Sequence, residues 1–217
     1  MHRSSRLVPV VIAVLLAAGP ARGEDVVPPC HAPAAATAEA PAPAVAEARV
    51  EVPDVELVDQ DGKTVRVRSL LLSGKPVVVS FIFTTCTTIC PMLSTIVSRV
   101  QANLGDRAGR EVSLVSISVD PGRDTPARLK AYGARHKSGP GWTWLTGGRG
   151  AVEQVLRGMG AYTSSFVDHP PMVLVGDGAG SWTRLNGFPS QAAIVAQVDT
   201  YAAGSRSQPV ATTAKGN

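Results

Sequence analysis

Val77-Val78-Val79-Ser80-Phe81-Ile82-Phe83-Thr84-Thr85-Cys86-Thr87-Thr88-Ile89-Cys90-Pro91 decides the fold of this chain. The unbroken apolar run 77–83 predicts a central strand buried on both faces. Beyond it, Met92, Ile96, Val100 and Leu104 recur at helical spacing, which predicts a helix from Pro91 to about Leu104. The dithiol Cys86-x-x-x-Cys90 therefore falls between the carboxyl end of a buried strand and the amino end of a helix. Unpaired N–H groups and the helix dipole favour thiolate over thiol at such a place. Thiolate binds soft metals and attacks disulfides, so two chemistries are open there: soft-metal handling and thiol redox.

Working outward, Val55-Glu56-Leu57-Val58 and Thr64-Val65-Arg66-Val67 flank Asp59-Gln60-Asp61-Gly62-Lys63 and predict a hairpin around an Asp-Gly turn. Glu111–Val119 predicts another strand. Asp124-Thr125-Pro126 predicts a capped helix start, with proline at the first helical position and the helix running to about His136. A short strand over Trp142–Leu145 and a helix over Ala151–Met159 follow. Met172–Val175 and Trp182–Leu185 bracket a Gly-rich turn as a second hairpin, and Ser190 caps a last helix to about Ala203. This order predicts an α/β, thioredoxin-like fold, a central sheet flanked by helices with an N-terminal β-hairpin. Residues 50–203 suffice for a core that buries about 70% of the unfolded surface without disulfide staples.

The ends read differently. A basic start (Arg3, Arg6), an apolar stretch from Leu7 to Ala18 and Ala21-Arg22-Gly23 predict an export signal over residues 1–23, cleaved after Gly23. The apolar run is shorter than the ~20 residues that span a bilayer, so membrane contact is expected only if the signal stays uncleaved. Residues 24–49 contain ten alanines and five prolines. Such a stretch has too few large apolar groups for a core and predicts a flexible linker with an extended reach of roughly 80 Å. Residues 204–217 predict a loose tail. The formal net charge of +4 includes three arginines of the signal and none of the acids, so the mature chain carries +1. Nucleic-acid binding therefore gains no support. Export to a periplasmic or other extracytoplasmic compartment permits disulfides. With three cysteines, at least one is free, metal-bound or paired between molecules; Cys30, beside His31 in the linker, is the odd one.

Three segments in order carry a resemblance: Thr85-Cys86-x-x-x-Cys90-Pro91 after a buried strand, Ser118-Val119-Asp120-Pro121-x-Arg123-Asp124-Thr125-Pro126, and Asp168-His169. Together, over roughly residues 50–203, they resemble the Sco/SenC family. That resemblance implies an exported thioredoxin-fold metallochaperone that binds copper, as Cu(I) or Cu(II). Its expected partners are the copper-bearing subunit of cytochrome c oxidase, or another copper donor or acceptor, and a thioredoxin-like reductant. The implied metal ligands are Cys86, Cys90 and His169. If the protein is instead a thiol–disulfide oxidoreductase that reduces acceptor cysteines before metallation, Cys86 and Cys90 are its redox pair. An inert Cys86–Cys90 disulfide is the bland alternative, and a peroxiredoxin-like site lacks an activating arginine in the motif. Asp168 is either a partner orienting His169 or a solvated loop acid. The 120–126 segment reads as architecture, with Asp124 and Thr125 as caps. His136 reads as a solvated helix end, Met92 and Met172 as core, and Trp142, Trp144 and Trp182 as packing residues. Pro170-Pro171 stiffen the loop after His169, and one of them is a candidate cis bond.

Overall fold

A computed structural model describes residues 45–207, with side chains described to residue 204. The expected signal, Cys30-His31 and most of the 24–49 linker lie outside the described residues. The chain forms strands β1 (Val45–Glu47), β2 (Glu56–Asp59), β3 (Thr64–Arg66), β4 (Val77–Ile82), β5 (Ser113–Ser118), β6 (Trp142–Thr146), β7 (Met172–Gly176) and β8 (Trp182–Asn186). The helices are α1 (Val67–Leu71), α2 (Ile89–Leu104), α3 (Pro126–Arg135), α4 (Arg149–Gly158) and α5 (Gln191–Ser207). All eight strands join one sheet in the order β1-β8-β7-β4-β5-β6-β2-β3. β4, β5 and β6 run parallel, β7 runs antiparallel to β4, and β8 runs antiparallel to β7. This is the expected thioredoxin-like arrangement, with the N-terminal hairpin β2–β3 added at one edge against β6.

Why β4 is central follows from its side chains. Val77, Val79 and Phe81 point into one core layer, with α1 and α4, while Val78 and Ile82 point into the other, with α2, α3 and α5. The period of two gives every residue of the run an apolar face to fill. Ser80, also buried, escapes an unpaired hydroxyl by bonding Ser116 of β5 at 2.8 Å, and Ser116 in turn accepts from Trp142 Nε1 at 2.9 Å. Because β4 runs upward, β7 downward and β8 upward, one end of the sheet collects the C-terminus of β4, the start of β7 and the N-termini of α2 and α5. The dithiol and His169 both lie at that end.

Several boundaries differ from the sequence reading. Order begins at Val45, inside the expected 24–49 linker, because Val45, Ala46 and Glu47 pair with Leu185, Arg184 and Thr183 as an edge strand. Main-chain pairing needs no large side chains, so composition hid it; all three residues are exposed. At the other end α5 continues to Ser207, past the expected end near residue 203. The short α1 was not foreseen. Met172 is core as expected, but Met92 is 56% exposed. His136 caps the C-terminus of α3, half-buried with its ring 4.7 Å from that of Tyr132, rather than solvated. Every peptide bond among the described residues is trans, those at Pro170 and Pro171 included.

Candidate metal and redox centre

Helix α2 starts two residues earlier than periodicity suggested, at Ile89, with Thr88 as its cap residue. Pro91 thus sits within the first turn, where its missing N–H costs nothing. Cys86 lies before this turn and Cys90 inside it. The Cys90 N–H donates to Cys86 Sγ at 3.3 Å, so one of the helix's orphan donors is aimed at the exposed-side sulfur. Both cysteines are free thiols.

The two sulfurs are electrostatically unlike. Burial works against a Cys86 thiolate. Hydrogen bonds from the backbone N–H groups of Cys90 and Thr88, and from their side chains, outweigh it and bring the thiol below its usual range. Cys90 is buried, and burial pushes its thiol up to about 12, helped by the neighbouring charges of Cys86 and Asp124 and opposed only by the Phe83 N–H. The arrangement favours ionisation of Cys86 over that of Cys90.

His169 follows a single 3-10 turn, Phe166–Asp168, and precedes β7. It is buried, its ring centroid 5.5 Å from that of Phe81. Burial drives its pKa down to about 4, with the ring hydrogen bond to the Ala161 carbonyl as the opposing influence. That bond puts the ring proton on one nitrogen, and Nε2 is left buried with no hydrogen-bond partner. Such an orphan is uncommon in a native interior. The Ala161 carbonyl orients the ring, and Asp168, whose side chain is exposed, takes the solvated of its two readings.

Cys86, Cys90 and His169 line one cavity of about 230 Å3, together with Phe81, Phe83 and Pro171 among others. Among the described residues, however, no three His, Cys, Asp or Glu side chains stand close enough to hold an ion as a set. The cavity brings the three expected residues to one place without bringing them to a common point.

The profile of the SCO1/SenC family matches residues 44–203. This chain belongs to the SCO1/SenC family. The chain is 38% identical over 98 residues to a SCO1 protein homolog of Bacillus subtilis (strain 168), a match covering 45% of this chain and 49% of that protein. It thus spans about half the length of that curated relative. Among solved structures, BsSco, described as a Sco-family cytochrome c oxidase assembly protein with a disulfide switch, superposes with TM-score 0.61 at 27% identity, over 73% of this chain and 96% of that one. Copper-bound ScoI of Bradyrhizobium japonicum superposes with TM-score 0.58 at 30% identity, over 67% and 96%.

In this Sco/SenC chain, the 118–126 segment is built differently from its sequence reading. Thr125 alone caps α3, its hydroxyl accepting from the Arg128 N–H at 3.3 Å. Asp124 turns inward and is buried. It accepts from the Thr84 N–H at 3.2 Å, the Thr84 hydroxyl at 2.5 Å and the Ser118 hydroxyl at 2.6 Å. One carboxylate therefore ties the end of β5 to the chain two residues before Cys86. The frame of the motif held the signal: proline occupies the first helical position, so the residue directly before it is the cap and Asp124 is spare. Asp124→Ala leaves three donors without a partner and is expected to cost about 3 kcal/mol in urea unfolding of the metal-free protein. A loss under about 1 kcal/mol would show that water replaces the carboxylate.

Proposed function

We propose that this chain is an exported copper carrier of the Sco type, with Cys86 and Cys90 as thiolate ligands and His169 as a neutral imidazole ligand. The observation that carries the reading is the orphaned Nε2 of buried His169 on the cavity wall it shares with the dithiol. A lone pair kept free of protons and of hydrogen bonds is a ligand in waiting. Two thiolates with one imidazole form a donor set suited to copper in either oxidation state. The copper-bound state of the Bradyrhizobium japonicum relative supports the same cargo. The leading residues 1–23 support export.

The chain's own residues define the order of events. Cys86 and Cys90 must be reduced, because a disulfide offers no thiolate ligands. Cys86 is the entry ligand, being the sulfur that ionises first. Cys90 gives up its proton on binding, so uptake weakens as pH falls. His169 then completes the set, which requires the 162–171 loop to bring it closer to the sulfurs. Delivery to a copper-bearing subunit of cytochrome c oxidase proceeds by exchange of one ligand at a time for those of the acceptor.

The asymmetry of the thiols favours a second reading, a thiol–disulfide oxidoreductase. Cys86 attacks an acceptor disulfide to give a mixed disulfide and release one acceptor thiol. Cys90, losing its proton, then attacks Cys86 and frees the second, so two electrons pass to the acceptor. His169→Ala separates the readings. Copper titration of the reduced protein is expected to show one-to-one binding that weakens about tenfold or more in His169→Ala, while disulfide exchange is retained. Unchanged affinity would remove His169 from the ligand set. No copper uptake by the wild type, with exchange intact, would establish the oxidoreductase.

A further inference from the structure

We propose that Arg123 is a positioning residue for His169, acting through Phe166. The loop that carries His169 is weakly tied by its own backbone. Asp168 N–H bonds Ser165, His169 N–H bonds Phe166 at 3.4 Å, and the Thr163 hydroxyl bonds Ser165, all within the loop itself. Its two ends are tied to the fold by Tyr162 under the Arg157 guanidinium and by the Pro171 carbonyl accepting from the Gly187 N–H. Between those ends the Phe166 ring is the contact nearest the turn that precedes His169. Phe166 meets Phe83 edge-on at 5.2 Å, and the Arg123 guanidinium stands 5.3 Å from its centroid. Arg123 is held in turn by Asp120, whose carboxylate is almost fully buried and accepts from Arg123 Nη1 at 3.0 Å. An anchored carboxylate thus fixes a guanidinium fork, the fork pins an aromatic ring, and that ring opens the 3-10 turn that delivers His169.

The placement gives the latch a purpose. Phe83 lies on the dithiol side and lines the cavity of Cys86, Cys90 and His169. On its other side Phe166 lines a separate void of about 70 Å3, with Pro121, Leu156 and Tyr162 among its walls. The histidine loop therefore straddles two spaces and has room to shift. Its exposed Val167, also a wall of the dithiol cavity, adds little restraint. Since the three expected ligands do not yet meet, the position of this turn decides whether His169 reaches the sulfurs. Arg123 sets that position from a different loop, without touching ligand or cargo.

The test uses the whole chain and four variants: Arg123→Met, Arg123→Lys, His169→Ala and Arg123→Met with His169→Ala. In the metal-free protein, amide hydrogen exchange at residues 166–169 is expected to quicken about fivefold in Arg123→Met, the scale of one cation–π contact. Arg123→Lys, which keeps a cation over the ring, should restore most of it. In copper titration, the part of the inference that rests on the copper reading, Arg123→Met should bind about fivefold more weakly. It should add nothing further in the His169→Ala background. The disulfide-exchange rate should stay unchanged in Arg123→Met and Arg123→Lys. Exchange at 166–169 indifferent to Arg123, or an equal affinity loss with and without His169, overturns the proposal. Should Arg123→Met fail to fold, Phe166→Leu removes the ring while keeping apolar bulk and must give the same pattern. If the wild type takes up no copper, the copper reading fails alone, and hydrogen exchange still decides the latch.

Discussion

Alkylation of the reduced protein at pH 7.5 is expected to label Cys86 at least about a hundredfold faster than Cys90, because only the thiolate reacts. The direction follows from geometry. Burial opposes a charge on Cys86, yet the N–H groups of Cys90 and Thr88 converge on that sulfur and hold its thiol below the usual range. Cys90 has no such help beyond the Phe83 N–H, and burial raises it to about 12. At pH 7.5 a thiol of that kind is ionised in only about one molecule in thirty thousand. Mass spectrometry of peptides after timed iodoacetamide quenching reads both sites in one experiment. Cys86→Ser should leave Cys90 almost inert rather than expose it, since its burial does not depend on Cys86. Comparable rates at both cysteines would mean that the α2 N-terminus does not discriminate between the sulfurs, and the entry-ligand order would fall with it.

The metal-free fold is expected to lose about 3 kcal/mol of stability as pH drops from 6.5 to 4, through His169. The folded state keeps this imidazole neutral down to about 4 because it is buried, whereas an unfolded histidine takes its proton near its model value of 6.5. Between those values the unfolded chain binds more protons, so acid favours unfolding. The contribution is fully present above pH 6.5 and is lost as pH falls through the folded value. His136, also lowered by burial and by Arg135, slopes the same way. The quantity to read is therefore the difference between wild type and His169→Asn in urea midpoints at pH 6.5, 5.5 and 4.5. Parallel curves for the two proteins would show that His169 is not held neutral. Copper should steepen the acid dependence, because Cys90 and His169 both have to be free of protons to bind it.

Both expectations depend on features that sequence pattern conveyed unequally. The run 77–83 reads as a two-sided buried strand because every one of its residues must face apolar surroundings, and β4 is that strand. Pro91 and the spacing of Met92, Ile96, Val100 and Leu104 place a helix directly after it, which puts the dithiol at a helix start. Periodicity misses Ile89 as the true start because the first turn of a helix carries no repeat of its own. It also took exposed Met92 for core, since a residue at the right spacing near a helix end need not face the sheet. β1 escaped notice because an edge strand of small residues is held by main-chain bonds, which composition does not record.

The chain by itself determined the α/β class, most of the strands and helices, and a dithiol, Cys86 and Cys90, at a helix start, whereas His169 entered as a candidate only through the family resemblance. The former are local properties: strand and helix periods, a proline at a helix start, and residue types with thiol chemistry. The tertiary structure alone decided the rest. It brought His169 to the wall of the cavity that holds cysteines some eighty positions earlier in the chain. It split two adjacent thiols into an ionising and a buried one, and it turned Asp124 from an apparent cap into a tie between β5 and the dithiol loop. Burial and hydrogen-bond direction are set by what the fold packs against a side chain, and no neighbour in the sequence specifies that.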